Sequence, residues 1–333
     1  MATKVIIRGI GKAGRLFLKH SFDIEDVDVV AIADDAAYGY VDNLAYLLKY
    51  DTVHGVSNHQ ISALDGDLVV DGRTVKVIGY NNIPTPNEYG ASVIVDFTGN
   101  MQYATAQALV NVGYKVIANN FFDKNNDTPD IPVITTANIS LITSSMNIIS
   151  TNPDLESVAQ VVQQINNYQI SNAMLTFIKS ATSAMSVDDA FVASGAYDAG
   201  RGCFENMIVT ANDAGKQLVN VMSELNGKIT GNTIRVPSIS GFIAQIDAMC
   251  DKSATTNDIN SSIKGISSQT LSYCDDPISP TDTRSLFAPA FVSSKTMSMN
   301  VANSSMIRAY VFYHPENVSV EISTEIIKRL ALL

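Results

Sequence analysis

The most constraining feature of the sequence is a glycine-rich turn placed directly after a buried strand. Lys4 to Arg8 is a short run rich in β-branched residues, which is typical of a strand covered on both faces. Gly9, Gly11 and Gly14 follow it with the spacing G-x-G-x-x-G, and the pattern then predicts a helix to about His20. Alone, this spacing is weak evidence for a ligand site, because tight glycine turns are common. Its position between a strand and a helix indicates a βαβ unit.

An acidic residue at the end of the next strand supports a dinucleotide site at this turn. Residues 27–33 predict a second buried strand, and Asp34 follows it, twenty positions beyond Gly14. In dinucleotide-binding domains the helix start meets the pyrophosphate, and such a carboxylate accepts hydrogen bonds from ribose hydroxyls. Asp34, with Asp35 beside it, would repel the 2′-phosphate of NADP, so the pattern favours NAD. We predict cofactor contacts from Gly9, Gly11, Lys12, Ala13, Gly14, Asp34, Thr98, Gly99 and Asn119.

Strand and helix patterns alternate in the first half of the chain and change after about Ile149. In the first half, buried strands at 91–95 and 114–118 flank a helix at 101–112, which is typical of a parallel sheet. In the second half, a helix is predicted from about Thr151. Longer strands are predicted at 173–180, 228–235 and 306–313, and a terminal helix at 318–333. The sequence therefore predicts an α/β Rossmann domain and an α+β domain with a mostly antiparallel sheet.

Charge and cysteine content exclude several classes of function. The 333-residue chain has a net charge of −11, whereas a nucleic-acid platform needs clustered Lys and Arg. No apolar run in the sequence approaches the roughly 20 residues that a membrane span requires. The three cysteines, Cys203, Cys250 and Cys274, show no paired spacing, so neither a disulfide framework nor a metal site is expected. The first residues lack the layout of a secretory signal, and we expect a cytoplasmic protein.

Several longer segments are similar to one enzyme family. They are GIGKAGR from Gly9, YLLKYDTVHG from Tyr46, DFTGN from Asp96, SELNGKITGNTIRVP from Ser223 and FYHPE from Phe312. Together they resemble glyceraldehyde-3-phosphate dehydrogenases over essentially the whole chain. The resemblance implies a Rossmann NAD-binding domain at 1–150, completed by a C-terminal helix at 316–333, and a catalytic-type domain at 151–315. It also implies a homotetramer or homodimer.

The nucleophile of that family is missing from this sequence. The family oxidises its aldehyde through a cysteine thiolate at a helix start, and a nearby histidine lowers the thiol pKa and acts as base. The family motif reads S-N-A-S-C-T-T-N, whereas this chain has I-I-S-T-N-P-D-L-E from Ile148 and is one residue shorter. The cysteine position falls at Pro153 or Asp154, and neither supplies a thiol. Physically, the segment is a helix start with Asn152 or Thr151 as N-cap, Pro153 at the first helical position and acids in the first turn.

The histidine of the family is missing as well. The family strand T-T-V-H-A-I-T-A-T-Q corresponds to the segment from Met174 to Met185, which places Ile178 at the histidine position. Ile178 cannot transfer a proton. Lys179 is the next residue on the strand, and its side chain is expected to point to the opposite face. We therefore assign no catalytic residue.

The substrate and nicotinamide ends of the family site are only partly retained. Arg235 matches the arginine that binds substrate phosphate, and Thr182 falls in the threonine-bearing stretch of the phosphate site. Asp213 stands in the family's Ser-Thr-Gly loop, where it would repel a phosphate. Pro315 aligns with the asparagine that orients the nicotinamide amide, and it has no side-chain amide. The adenosine half of the NAD site is therefore the better supported half.

Three interpretations remain open on the sequence. The first is a pseudoenzyme that binds NAD or an adenine nucleotide and has a structural, assembly or sensing role, with possible protein partners. The second is a structural protein that binds no nucleotide, favoured by Lys12, Ala13 and Asn119 at positions where the family usually has other residues. The third is an active NAD-dependent aldehyde oxidoreductase with a non-cysteine mechanism that uses Asp154 or Lys179.

Overall fold

The structure is a computed structural model that describes most of the chain. The described residues are 2–122, 128–182, 185–192, 197–212, 214–266, 271–285, 290–295 and 304–333. Their contacts divide the chain into two compact units. Unit 1 contains Met1–Asn152 and Ser319–Leu333, and unit 2 contains Pro153–Val318.

Unit 1 is built on an eight-stranded sheet with helices between its parallel strands. Its strands are β1 (Thr3–Arg8), β2 (Val27–Ala33), β3 (Tyr50–Asp51), β4 (Gly55–Val56), β5 (Ile61–Leu64), β6 (Asp67–Val70), β7 (Arg73–Ile78), β8 (Val93–Asp96), β9 (Lys115–Ala118) and β10 (Ile148–Ser150). Its helices are α1 (Lys12–Asp23), α2 (Val41–Lys49), α3 (Pro86–Tyr89) and α4 (Tyr103–Asn111), with 3-10 turns at Tyr80–Asn82 and Thr136–Leu141. The sheet order is β10-β9-β8-β1-β2-β7-β6-β5, while β3 and β4 pair separately.

The topology of this sheet fixes where a ligand can bind. The six strands from β10 to β7 run parallel, and β6 and β5 extend the edge as antiparallel strands. Val5, Ile6 and Ile7 are fully buried because helices and loops cover both faces of β1. The chain passes from β1 to β2 on one side and later returns to β8 on the other. This reversal opens a crevice at the carboxyl ends of β1 and β8, where doubly wound sheets bind ligands.

Unit 2 contains a seven-stranded sheet that is mostly antiparallel, as the sequence predicts. Its strands are β11 (Ile170–Ser180), β12 (Ile208–Ala211), β13 (Ile229–Val236), β14 (Phe242–Ala254), β15 (Leu271–Cys274), β16 (Ala290–Ser293) and β17 (Ser304–Tyr313). Its helices are α5 (Pro153–Asn166), α6 (Ala214–Leu218), α7 (Thr256–Ile266) and the first residues of α8 (Pro315–Ala331), with 3-10 turns at Tyr197–Gly200, Ser223–Leu225 and Asp282–Ser285. The order is β12-β13-β11-β14-β17-β16-β15, and only β11/β13 and β15/β16 pair in parallel among the described strands.

Helix α5 lies on one face of this sheet and begins two residues later than the sequence pattern suggests. It packs against β11, β14 and β17, and the side chains of Leu155 and Val158 are fully buried. The expectation that the helix begins at about Thr151 is wrong, whereas the assignment of Pro153 to the first helical position is confirmed. The backbone N–H of Thr151 donates to the carbonyl of Ala118 at 2.8 Å, and its hydroxyl donates to the same oxygen at 3.3 Å. Thr151 therefore continues the pairing of β10 with β9, and the helix starts at Pro153.

Candidate functional site

The glycine-rich turn of unit 1 is held in a conformation that other residues would not tolerate. Gly9 has a φ of +89°, and a Cβ atom there would lie 2.8 Å from Cγ2 of Thr98. A Cβ atom on Gly14 would lie 2.2 Å from the carbonyl oxygen of Gly9. Around Gly11, by contrast, no atom of the described residues comes within 4 Å of such a Cβ. Two glycines are required for packing, whereas Gly11 leaves an open space beside the turn.

This open space lies at the start of α1. Gly11 is the N-cap of the helix, and no side chain of the described residues caps it. Lys12 and Ala13 open the first turn, which contains no acidic residue. The first N–H groups of a helix carry a partial positive charge and favour an anion. The turn and the helix start therefore fit the pyrophosphate of a dinucleotide, and Lys12 adds a positive charge at that end.

The loop after β8 forms the opposite wall of the crevice. Asp96 is fully buried and accepts hydrogen bonds from the backbone N–H of Thr98 at 3.1 Å and from its hydroxyl at 2.7 Å. Gly99 follows with a φ of +71°, a left-handed conformation that glycine adopts readily. The predicted pair Thr98 and Gly99 thus forms a tight turn that packs directly on Gly9.

Asp34 lies at the end of β2, where the sequence places the ribose acceptor. Its side chain is buried and accepts hydrogen bonds from the backbone N–H groups of Ile10 at 2.9 Å, Ala36 at 2.9 Å and Ala37 at 3.1 Å. The hydroxyl of Tyr80 donates a fourth hydrogen bond at 3.3 Å. The carboxylate that we assign to the ribose is therefore already hydrogen-bonded within unit 1.

Arg8 and Tyr80 belong to this crevice, although sequence reasoning missed both. The guanidinium of Arg8 forms an ion pair with Asp96 at 2.5 Å and lies 4.4 Å from the centre of the Tyr80 ring. Burial, followed by the nearby Asp34 carboxylate, raises the pKa of Tyr80 to about 12. A charged residue at the end of an otherwise apolar strand is the signal that could have identified Arg8. Tyr80 lies in a short turn without a recognisable motif.

Asn119 follows β9, the next parallel strand. Its backbone N–H donates to the carbonyl of Asp96 at 3.0 Å, and its Nδ2 donates to the hydroxyl of Ser323 at 3.2 Å. Its Oδ1 is buried and has no hydrogen-bond partner among the described residues. Buried polar atoms are normally paired, so this oxygen lacks the partner that such an atom usually has.

In unit 2, the predicted nucleophile position is occupied by a carboxylate. Pro153 is the first residue of α5 and offers no functional group. Asp154 follows it, with a side chain only 12% exposed. Its carboxylate accepts a hydrogen bond from the hydroxyl of Tyr313 at 2.7 Å and forms an ion pair with the ammonium of Lys179. The helix start thus contains an anion, but one that is already paired.

Lys179, rather than Ile178, faces Asp154. Side chains alternate along β11, so Lys179 shares the α5 face of the sheet with Phe177, and Ile178 lies on the other face. The Lys179 ammonium is 5.5 Å from the centre of the Phe177 ring and 5.8 Å from that of Phe242. Ile178 and Lys179 lie on opposite faces, as the sequence predicts, and the residue on the face that meets Asp154 is Lys179. The assignment of Ile178 to the family histidine position stays a prediction.

Tyr313 completes the cluster from β17. Its side chain is fully buried, and burial together with the Asp154 carboxylate raises its pKa well above the ordinary value. The hydroxyl of Ser157 and the charge of Arg235 act in the opposite direction. Tyr313 therefore stays protonated and serves as a neutral donor to Asp154.

The predicted anion-binding residues lie on neighbouring strands of the same sheet. Arg235 is paired in register with Lys179 across β13 and β11, and its Nη1 donates to the carbonyl of Ser180 at 3.2 Å. Thr182 lies two residues beyond the end of β11 and is partly exposed. Asp213, which we expected to repel a phosphate, lies outside the described residues. Pro315 begins α8, where it supplies no amide.

Neither a metal site nor a membrane span is found in the described parts of the chain. No group of three or more His, Cys, Asp or Glu side chains among the described residues could hold a metal ion. None of the described helices combines the length and the apolar character that crossing a bilayer requires.

Comparisons with known proteins match both units in chain order. The family profile described as glyceraldehyde 3-phosphate dehydrogenase, NAD binding domain, matches residues 3–104, and the profile of the C-terminal domain matches residues 151–315. The glyceraldehyde-3-phosphate dehydrogenase of Lactobacillus delbrueckii subsp. bulgaricus is 28% identical over 327 residues, or 95% of each chain. Glyceraldehyde-3-phosphate dehydrogenase 1 of Bacillus cereus is 29% identical over 329 residues, or 94% of each chain. Glyceraldehyde-3-phosphate dehydrogenase A of Escherichia coli (strain K12) is 28% identical over 292 residues, covering 85% of this chain and 86% of that one.

Proposed function

The chain belongs to the glyceraldehyde-3-phosphate dehydrogenase family, and we propose that it is a pseudoenzyme that binds NAD without oxidising an aldehyde. The observation that carries this proposal is the buried ion pair between Asp154 and Lys179 at the start of α5. Covalent aldehyde oxidation needs a nucleophile with a free electron pair and a base to activate it. Asp154 is instead held by the Lys179 ammonium and the Tyr313 hydroxyl, and a protonated lysine cannot act as a base.

The cysteines elsewhere in the chain do not replace the missing thiolate. Cys203 and Cys250 are buried, and burial raises the pKa of Cys250 to about 11, so this thiol stays protonated at neutral pH. Cys274 lies on β15 at the edge of the sheet. Catalytic thiolates usually lie in a positive environment that lowers the thiol pKa. The Cys250 thiol lies instead in a buried environment beside Asp251, which raises its pKa.

NAD binding is supported by the shape and polarity of the crevice in unit 1. The open space at Gly11 and the uncapped start of α1 fit the pyrophosphate, and Asp34 would hold the adenosine ribose. Asn119, whose buried Oδ1 has no partner among the described residues, is the predicted contact to the other half of the cofactor. When bound, the nicotinamide ring of such a cofactor can accept or donate a hydride. Because Pro315 cannot orient the nicotinamide amide, the adenosine diphosphate half is expected to supply most of the affinity.

We further propose that the protein is a cytoplasmic homo-oligomer with an assembly or sensing role. Members of this family are usually oligomeric. The face of the unit 2 sheet opposite α5 exposes Met174, Met249 and Met306, of which 47%, 45% and 39% of the surface is accessible. Met249 and Met306 are direct cross-strand partners, and Met174 lies on the neighbouring strand. An exposed apolar patch on a sheet face favours burial against another subunit.

Two measurements on the purified protein test the proposal. Isothermal titration with NAD should give heat at micromolar to millimolar cofactor, and NADH absorbance should stay at the buffer level with glyceraldehyde 3-phosphate, phosphate and NAD present. Gly11→Ala tests the location of the site, because its methyl group would enter the cofactor space without meeting an atom of the described residues. Binding that survives this substitution would place NAD elsewhere. Turnover of the wild-type protein would contradict the pseudoenzyme.

A second candidate, an active oxidoreductase with a non-cysteine mechanism, is favoured by one observation. The Lys179 side chain keeps 11% of its surface exposed at a site that also contains Asp154 and Tyr313. An ammonium can donate a proton to a substrate oxygen, and the carboxylate paired with it can accept one. The test is an NADH screen over aldehydes and alcohols. Activity that is lost in Lys179→Met protein shown by circular dichroism to be folded at the assay temperature, and retained in Lys264→Met, would favour this candidate over the pseudoenzyme.

A further inference from the structure

The Asp34 carboxylate has no acceptor site left for a ligand in its present arrangement. A carboxylate offers about four lone-pair sites for hydrogen bonds. The backbone N–H groups of Ile10, Ala36 and Ala37 occupy three of them, and the Tyr80 hydroxyl occupies the fourth. An adenosine ribose, however, brings its 2′- and 3′-hydroxyls to this carboxylate as donors. At least one present donor must leave before the ribose can bind.

Tyr80 is the donor that can leave. The three backbone donors belong to the glycine turn and to the loop after β2, so moving them would disrupt the crevice itself. The Tyr80 hydroxyl sits on a rotatable side chain, and its 3.3 Å hydrogen bond is the longest of the four. The ring is partly exposed, so it has space on its solvent side. The energetic cost of displacing it is therefore the lowest.

Two further contacts position Tyr80 over Asp34. The Arg8 guanidinium lies 4.4 Å from the ring centre and is itself fixed by its ion pair with Asp96. The backbone N–H of Tyr80 donates to the Asp35 carboxylate at 2.8 Å. These contacts position the hydroxyl at the carboxylate, and a pKa of about 12 keeps it protonated as a donor at neutral pH.

We propose that Tyr80 is an internal competitor of the ribose: its hydroxyl occupies the Asp34 acceptor and must leave when adenosine binds. This inference rests on the proposed function, because it assumes that Asp34 takes the adenosine ribose. Tyr80 then sets the affinity for NAD and for other ligands that contain an adenosine diphosphate. It also makes the site selective for ligands whose ribose hydroxyls replace the hydrogen bond between Tyr80 and Asp34.

The test is the substitution Tyr80→Phe, which removes the hydroxyl and keeps the ring under Arg8. We expect isothermal titration to show about tenfold tighter binding of NAD and ADP. This factor corresponds to the net free energy of one long hydrogen bond to a charged group. Binding of 2′,3′-dideoxy-ADP should not change, because that probe lacks the competing hydroxyls. Tyr103→Phe is the matched control, since its hydroxyl bonds to Gln107 at 2.9 Å and not to Asp34.

The outcomes separate this inference from the function on which it rests. Wild-type binding of NAD with equal or weaker binding by Tyr80→Phe would overturn the inference and leave the proposed function standing. A gain in affinity of Tyr80→Phe that also appears with 2′,3′-dideoxy-ADP would overturn the inference too, because competition with the ribose hydroxyls could not then explain it. Binding by Tyr80→Phe alone would support the inference. Absence of NAD heat from both proteins would overturn the proposed function and the inference with it.

Discussion

Replacing Lys179 by methionine tests whether the cluster in unit 2 stabilises the fold. Methionine keeps most of the side-chain length against Phe177 and Phe242 but removes the ammonium. The Asp154 carboxylate then stays in a site where only 12% of its side chain is exposed, and only the Tyr313 hydrogen bond remains of the contacts described above. Removing one partner of a buried ion pair typically costs about 3–5 kcal/mol. We expect a loss of free energy of unfolding in this range.

A double-mutant cycle with Asp154→Asn separates the pair from other effects. Asn keeps an oxygen for the Tyr313 hydroxyl but leaves Lys179 without its anion. The double variant Asp154→Asn/Lys179→Met removes both charges, so its cost should be smaller than the sum of the single costs by about 2 kcal/mol or more. Urea unfolding followed by circular dichroism measures all three variants. In thermal unfolding, a loss of about 3–5 kcal/mol corresponds to roughly 6–20 °C.

A solvent-exposed ion pair of the same unit provides the control. Lys264 lies 3.4 Å from Asp275, and the two side chains are 64% and 66% exposed. Lys264→Met should therefore hardly move the unfolding midpoint, because water screens such pairs. An unchanged or raised unfolding midpoint in Lys179→Met would refute the argument that the Asp154–Lys179 ion pair stabilises the fold. Residues kept for chemistry often lower stability, and replacing them then stabilises the protein.

Three further substitutions probe the two units separately. Gly11→Ala should leave the unfolding midpoint unchanged and weaken NAD binding at least tenfold in calorimetry, because its methyl group meets no described atom but fills the cofactor space. Burial, followed by the charge of Glu325, raises the pKa of Glu321 from 4.5 to about 7, so its contribution to stability is full below pH 4.5 and is lost as the pH rises through 7. Between pH 5 and pH 8, the free energy of unfolding of the wild type, measured by urea titration, should fall by about 2–3 kcal/mol more than that of Glu321→Gln. An equal pH dependence of the two proteins would contradict this. Asp154→Cys should place a thiol at the helix start without giving NADH production from glyceraldehyde 3-phosphate, because the Lys179 ammonium is not a base. NADH formation would show that the nucleophile alone was missing.

The features that the sequence predicts well are those encoded by neighbouring residues. The glycine turn, the start of α1 and the acid after β2 all lie within one βαβ unit, so their spacing determines their geometry. The cluster in unit 2 is different. Asp154 and Lys179 are 25 residues apart, and Asp154 and Tyr313 are 159 apart, so only the folded sheet brings them together. Side-chain alternation correctly separates Ile178 from Lys179, but the sequence does not say which face carries α5.

Tyr80 could not be predicted for a related reason. Its hydroxyl reaches Asp34 across 46 residues, from a turn that follows β7. The ribose-binding carboxylate is recognisable because its chemistry requires an acid at that position. A donor that competes for the same carboxylate follows no such rule, since a hydroxyl from any nearby loop could satisfy it. Such partners depend on tertiary packing, which local spacing does not encode.

The charges at the start of α5 suggest how a family member can lose its chemistry and keep its fold. The family places a thiolate at this helix start and a histidine beside it, so the site contains an anion stabilised by the helix dipole and a neighbouring cation. Here Asp154 provides the anion and Lys179 the cation, while Tyr313 satisfies a further acceptor site of the carboxylate. A helix start without any anion would lose about 0.3–1 kcal/mol of dipole stabilisation, and an unpaired buried charge would cost several times more. A carboxylate at the helix start that is paired with an ammonium avoids both costs. Under the proposed function, the same pair leaves no base for the proton transfer of the family reaction, so one pair of residues would account for both stability and lack of turnover.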